Sequence, residues 1–298
     1  MLLIKNEIIL HTVQEKLQKT DITETDILSI TELNLSRKNL TDVSDLERFT
    51  NHVNLDLVEN CLTDLSPLAG LKNLRRLVAG NDPFLSEEDR AKRLGINHFA
   101  DYSFLKTLTN LVDVDFTATG DDNIEYAEYL PNVEEFRAYC NPITDISPLI
   151  HCPKLHQSYF FDCPITDISV YRQLPDTFGI AINCTGVSDI TPLAGKRGFS
   201  YLDAHDAEIT DISILADFEA MRYVTLAGNH IRDFSPLCGK TIGWLTLSGN
   251  PADKGHLLDV LSTMQILHAL EITGYSLTEN EKARIEEKQP GCHITFEE

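Results

Sequence analysis

Apolar residues recur along this chain on a step of 22. The first position of each unit falls at Ile30, His52, Leu74, Leu111, Val133, Leu155, Thr177, Phe199, Met221, Ile242 and Leu267. The intervals between them are 22, 22, 37, 22, 22, 22, 22, 22, 21 and 25. Inside the second unit Leu55 and Leu57 alternate with Asn54, Asp56 and Val58, the period-two pattern of a short strand with one buried side. Asn60 follows, placed where a side-chain amide can bond the exposed backbone of a turn. Asn141, Asn229 and Asn250 hold the same slot, and Thr119, Cys163 and Thr185 replace it elsewhere. Leu62, Leu65, Leu68 and Leu71 then return the chain with their side chains pointing inward.

The stretch TDISPL at Thr144 to Leu149 recurs in variant form in most units. Its serine precedes a proline as a helix cap would, and proline suits the first position of a short helical turn. Ser66-Pro67, Ser147-Pro148, Thr191-Pro192 and Ser235-Pro236 all read this way. Asp42, Asp64, Asp145, Asp167, Asp189, Asp211 and Asp233 share one slot, so they are expected to bond local turn backbone rather than to form a carboxylate site.

A step of this length with the pattern L-x-x-L-x-L-x-x-N-x-L is that of leucine-rich repeats. It predicts an α/β solenoid with a parallel inner sheet and 3-10 or short helical turns on the convex side. The ITDISPL unit resembles the bacterial internalin-like leucine-rich repeats, over nearly the whole chain. The first 29 residues resemble the helical cap that precedes such repeats: Ile9, Val13 and Leu17 form a helical stripe, and Thr23 to Asp26 suggests a capping box. At the other end Thr278 and Glu281 frame a helix start, Pro290-Gly291 stops it, and the HITF stretch can add a strand. The expected organisation is therefore a helical cap at 1–29, about eleven repeats over 30–277 with an insertion near 85–107, and a helix–strand cap at 278–298, all in one structural domain closed at both ends.

The insertion lies in the 37-residue interval. Ser86 with Asp89 resembles a capping box and Gly95 a helix stop, predicting a short helix over 87–94. The 25-residue interval before Leu267 contains HLLDVLSTM, read as a regular outer helix.

The third, fifth and seventh positions of each unit should form the exposed concave face. Six of these 33 residues are aromatic, where 8% of the chain would give two or three. Tyr201, Tyr223 and Trp244 fall on consecutive strands, and Tyr139, Tyr159 and Phe161 form a second group. Gly179 and Ala181 between them read as a low spot where a partner side chain could insert. Exposed aromatics of this kind are enriched at interface hot spots, and cross-strand stacking that stabilises the sheet is the plainer alternative. The face carries seven acids, two arginines and no lysine, which suits a protein partner of basic or mixed charge and equally a solvated surface.

Composition narrows the remaining classes. A net charge of −21 disfavours nucleic acid and anionic membranes. Seven cysteines without a CxxC pair signal neither zinc knuckle nor disulfide framework, and fit a reducing compartment. The start, MLLIKNEIIL, lacks a basic n-region, so a cytoplasmic monomer is expected, or an exported protein if a leader has been removed. Asp203 and His205 share a strand face and could hold a metal, but no second His or Cys joins them, so neither metal nor cofactor is expected. No catalytic motif occurs, and the protein is not expected to be an enzyme. The reading is a scaffold that binds another protein through Tyr139, Tyr159, Phe161, Tyr201, Asp203, Tyr223 and Trp244. The alternatives are an internalin-like surface adhesin or host-interacting protein, and a carbohydrate-binding module, since stacked rings also suit sugars.

Overall fold

The computed structural model of the chain describes residues 3–218 and 220–297, with only the backbone of Arg90. Two compact units divide it, 1–143 with 148–155, and 144–147 with 156–298. Among the described residues the strands of each unit pair in parallel and in chain order. The first unit carries β1 Glu32–Asn34, β2 Asn54–Asp56, β3 Arg76–Val78, β4 Asp113–Asp115 and β5 Glu135–Arg137. The second carries β6 Gln157–Tyr159, β7 Gly179–Ala181, β8 Tyr201–Asp203, β9 Ala220–Thr225, β10 Thr241–Thr246, β11 Gln265–Glu271 and β12 His293–Thr295. Short 3-10 helices run between successive strands, as at Ser66–Gly70 and Ser213–Asp217. This is the leucine-rich-repeat solenoid fold, and the 22-residue step sets its strand register: Leu33 lies against Leu55 and Leu55 against Leu77.

The core is the stack of inward leucines, isoleucines and phenylalanines. Leu57, Leu62, Leu65, Leu68 and Leu71 are fully buried, and most of their counterparts in other units are buried, with Lys196 and Lys240 in the slot of Leu71. Strands such as Asn54-Leu55-Asp56 and Tyr201-Leu202-Asp203 pass their middle residue to this core and leave the flanking two partly exposed, whereas all three residues of β7 are buried. Asn60 closes each turn as its slot demands. Its Nδ2 donates to the carbonyls of Leu35 and Leu57, and its Oδ1 accepts from Leu40 N–H. Thr119 and Thr185 donate to the equivalent carbonyls of Phe116 and Ile182.

Helices stand at both ends of the repeats. In the first unit α1, Glu7–Leu17, is capped by Asn6, and α2, Glu24–Ser29, has a Thr23–Asp26 capping box. In the insertion α3 spans Glu87–Ala91, shorter than the 87–94 expected, with Ser86 bonded to Asp89 at its start. In the second unit α4, Lys254–Thr263, starts at Asp253, and α5, Glu279–Lys288, has a Thr278–Glu281 capping box. Among the described residues no helix is long and apolar enough to cross a membrane.

The serine caps and the last repeat position depart from the sequence reading. The serines of the TDISPL turns do not cap: they are the first residues of their 3-10 helices, whose cap positions make no side-chain bond. The preceding aspartate does that work, since Asp64 Oδ1 accepts from Ser66 N–H and its other oxygen from Ser66 Oγ. The same bonds recur at Asp42, Asp145 and Asp167. Leu267 is not a core position. Ile266 pairs with Ile242, a register shift follows, and Leu267 is left 45% exposed.

The asparagine of the third unit was missed as well. Asn97 is fully buried, donates to the carbonyls of Leu57 and Ala79, and accepts from Leu62 N–H. It therefore repeats the role of Asn60, and the fifteen extra residues of the insertion are 82–96.

Candidate functional site

The row Tyr201, Tyr223 and Trp244 lies in the second unit on β8, β9 and β10. Register sets the three side by side, Tyr201 opposite Tyr223 and Tyr223 opposite Trp244. The two tyrosine rings stack, with centroids 4.8 Å apart and planes 8° from parallel. Trp244 is 48% exposed, and its ring lies 6.2 Å from that of His268. Tyr159 on β6 meets Tyr201 edge-on at 6.4 Å, and its hydroxyl accepts a hydrogen bond from Gln157. Phe161, two residues further, is half-buried. Tyr139 is likewise half-buried and belongs to the first unit.

The low spot expected at Gly179 and Ala181 is filled from within the chain. Tyr201 stands over Gly179 so closely that a Cβ on the glycine would lie 2.6 Å from Tyr201 Cβ. Both residues are buried. A larger residue at 179 would push Tyr201 away, so this glycine seats the tyrosine rather than leaving a hole.

Burial and the nearby Asp203 carboxylate push the Tyr201 and Tyr223 hydroxyls above the usual phenol range, so both remain neutral donors. Asp203 itself is already engaged. One oxygen lies 2.8 Å from His205 Nδ1 and also accepts from Thr225 Oγ1. That bond raises the His205 imidazole above its ordinary range. In the first unit the face is a charged network: Arg76 bonds Asp113 at 2.9 Å, while Arg137 bonds Asp113 at 2.6 Å and also reaches Glu135. Both face arginines are thus held by face acids.

The pair Asp203 and His205 has a companion that the sequence reading did not find. Cys184, in the turn after β7, offers a ligand atom within 4.8 Å of those of His205 and Asp206. The repeat held the signal, because Cys184 and Asp206 occupy one slot in consecutive units.

No family model and no curated protein matches the chain. Solved structures do. An internalin (InlF) from Listeria monocytogenes is 20% identical, with a TM-score of 0.68 over 97% of this chain and 90% of its own. Internalin C2 from the same species is 24% identical, with a TM-score of 0.54 over 78% and 88%. A plant peptide hormone receptor, RGFR1 in complex with RGF2, is 14% identical, with a TM-score of 0.58 over 92% of this chain and 54% of that one. With twelve parallel strands on a 22-residue step and helices at both ends, the chain has the fold of an internalin-like leucine-rich-repeat protein.

Proposed function

We propose that the exposed strand face of the second unit binds another protein, with Tyr201, Tyr223 and Trp244 as anchors. The observation that carries this reading is the row itself: three large rings in register on consecutive strands, ending in a tryptophan almost half exposed to water. Such rings supply large contact area at little conformational cost. Tyr159 and Phe161 extend the surface, Asp203 gives it negative charge beside the rings, and Tyr139 offers a further aromatic in the first unit. The acid-rich composition of the face favours a partner of basic or mixed charge. A structural neighbour of this fold is a receptor solved with a peptide hormone, which agrees with a protein ligand.

Binding rather than catalysis is the role proposed, with the protein acting as a monomer. Seven cysteines without a CxxC pair support a reducing compartment. An exported, host-directed role is the alternative for the same surface. A sugar ligand is less favoured, because the facing sides of the Tyr201 and Tyr223 rings already cover each other.

Affinity capture from a lysate of the source organism, read by quantitative mass spectrometry, tests the proposal. Wild type runs beside a Tyr201→Ala, Tyr223→Ala, Trp244→Ala variant whose circular dichroism is unchanged. A protein retained by wild type and lost by the variant is the expected result. Identical captured sets would remove the aromatic row as the site, and a glycan array positive with wild type alone would replace the protein partner by a sugar.

A further inference from the structure

Next to the aromatic row, the turns after β7 and β8 bring together a thiol, an imidazole and a carboxylate. One ligand atom from each of Cys184, His205 and Asp206 lies within 4.8 Å of the other two. The repeat produces this meeting. Cys184 and Asp206 fill one slot in consecutive units, both with left-handed backbone (φ 55° and 50°), and neighbouring strands stand about 4.8 Å apart. The slot after Asp206 is Gly228, where a Cβ would lie 1.9 Å from Asp206 Oδ1. The absence of a side chain there gives the Asp206 carboxylate its room.

His205 is already oriented. Its Nδ1 lies 2.8 Å from Asp203 Oδ1, and a carboxylate can only accept, so a proton sits on Nδ1 and Nε2, 3.4 Å from Asn183 Nδ2, is the ring nitrogen that faces the cluster. A carboxylate behind the imidazole is the arrangement that fixes the tautomer and ring direction of metal-ligating histidines.

Asn183 lies beside this imidazole. It is 7% exposed, and its Nδ2 lies 3.4 Å from His205 Nε2. Its Oδ1 is buried without a hydrogen-bond partner. A buried amide oxygen left unpaired is costly. Because the two ends of the amide have the same shape, a half-turn presents that oxygen to the same point.

We propose that Cys184, His205 and Asp206 form a binding site for a divalent cation of the zinc class, with Asp203 holding the imidazole and the Asn183 amide oxygen beside the open position. Thiolate and imidazole together select borderline cations such as Zn²⁺ and Co²⁺ over Mg²⁺ and Ca²⁺. Bonds of about 2.0–2.3 Å ask the three ligand atoms to draw closer than they stand. Cys184 and Asp206 are exposed side chains. Coordination releases the thiol proton to solvent. This site stands independently of the protein-binding reading.

Titration of the metal-free full-length chain with Co²⁺, followed by the thiolate-to-cobalt charge-transfer absorption, tests it. Wild type is expected to saturate at one equivalent, and Zn²⁺ to bleach the band. C184S should abolish the band, H205Q should weaken binding at least about tenfold, and D203N should weaken it about 10–100-fold. C238S, which removes a different exposed thiol, should leave the titration unchanged. Absence of a band in wild type, or a band that survives C184S in a protein of unchanged circular dichroism, would overturn the proposal.

Discussion

The rings of Tyr201 and Tyr223 lie 4.8 Å apart and 8° from parallel, on strands whose register places the two residues directly opposite. Parallel strands with a strict repeat bring equal positions together, so one aromatic slot in two consecutive units becomes a stacked pair. Contacts of this kind contribute about 0.5–1.5 kcal/mol beyond the area they bury. A double-mutant cycle with Tyr201→Ala and Tyr223→Ala, read by urea unfolding, is expected to return a coupling of that size. Additive single effects would mean that the rings act separately.

Asn97 carries the turn of the unit interrupted by the insertion. Asn97→Ala removes this partner from the carbonyl of Ala79 and the N–H of Leu62, and leaves the carbonyl of Leu57 with Asn60. Each buried orphan costs about 1–3 kcal/mol, so a loss of at least about 2 kcal/mol is expected, similar to that of Asn60→Ala. A chemical-denaturation midpoint for Asn97→Ala that matches wild type would show that another group closes the turn.

His52 occupies a core position that most other units give to leucine, isoleucine or valine, and three to Thr177, Phe199 and Met221. It is fully buried, its ring meets Phe49 edge-on at 5.3 Å, and neither nitrogen has a well-formed hydrogen bond. Burial, aided by the positive charge of Lys16, lowers its pKa to about 4. The unfolded chain therefore takes up this proton at higher pH than the folded one. Stability contributed by the neutral ring is complete above about pH 6.5 and is lost as pH falls toward 4, by on the order of 3 kcal/mol. His52→Leu should remove that part of the pH dependence and raise stability at pH 7 by about 1 kcal/mol. Thermal melts of both proteins between pH 4 and 7 check the sign, and parallel curves would contradict it.

The insertion is anchored by Arg93, whose Nη2 lies 2.5 Å from Glu59 Oε2 with side-chain exposures of 15% and 3%. Glu59 also accepts from Asp82 N–H. Removing one partner of a buried pair strands the other charge. Arg93→Ala is expected to cost roughly 3 kcal/mol, and adding Glu59→Gln should recover part of it. Equal stability of Arg93→Ala and wild type would show that the insertion is held by other contacts.

Where the covalent pattern repeats, the sequence was enough to read the fold. The 22-residue step, Asn60 and its counterparts, the aspartates of the turns and the capping boxes at Thr23 and Thr278 each act within one or two units, so residue type and spacing reveal their role. The row of Tyr201, Tyr223 and Trp244 was legible for the same reason, since a strict period fixes which residues stand side by side. Tertiary structure decided whatever breaks or crosses that period. Fifteen inserted residues hide Asn97 from any count, and only its hydrogen bonds identify it. A register shift between β10 and β11 moves Leu267 outward and gives its place to Ile266. Tyr201 fills the space above Gly179 because side-chain size is felt between strands and not along them. Cys184 meets His205 for a related reason: a turn has no periodic signature of its own, and the distance between two turns is set by the packing of the units that carry them.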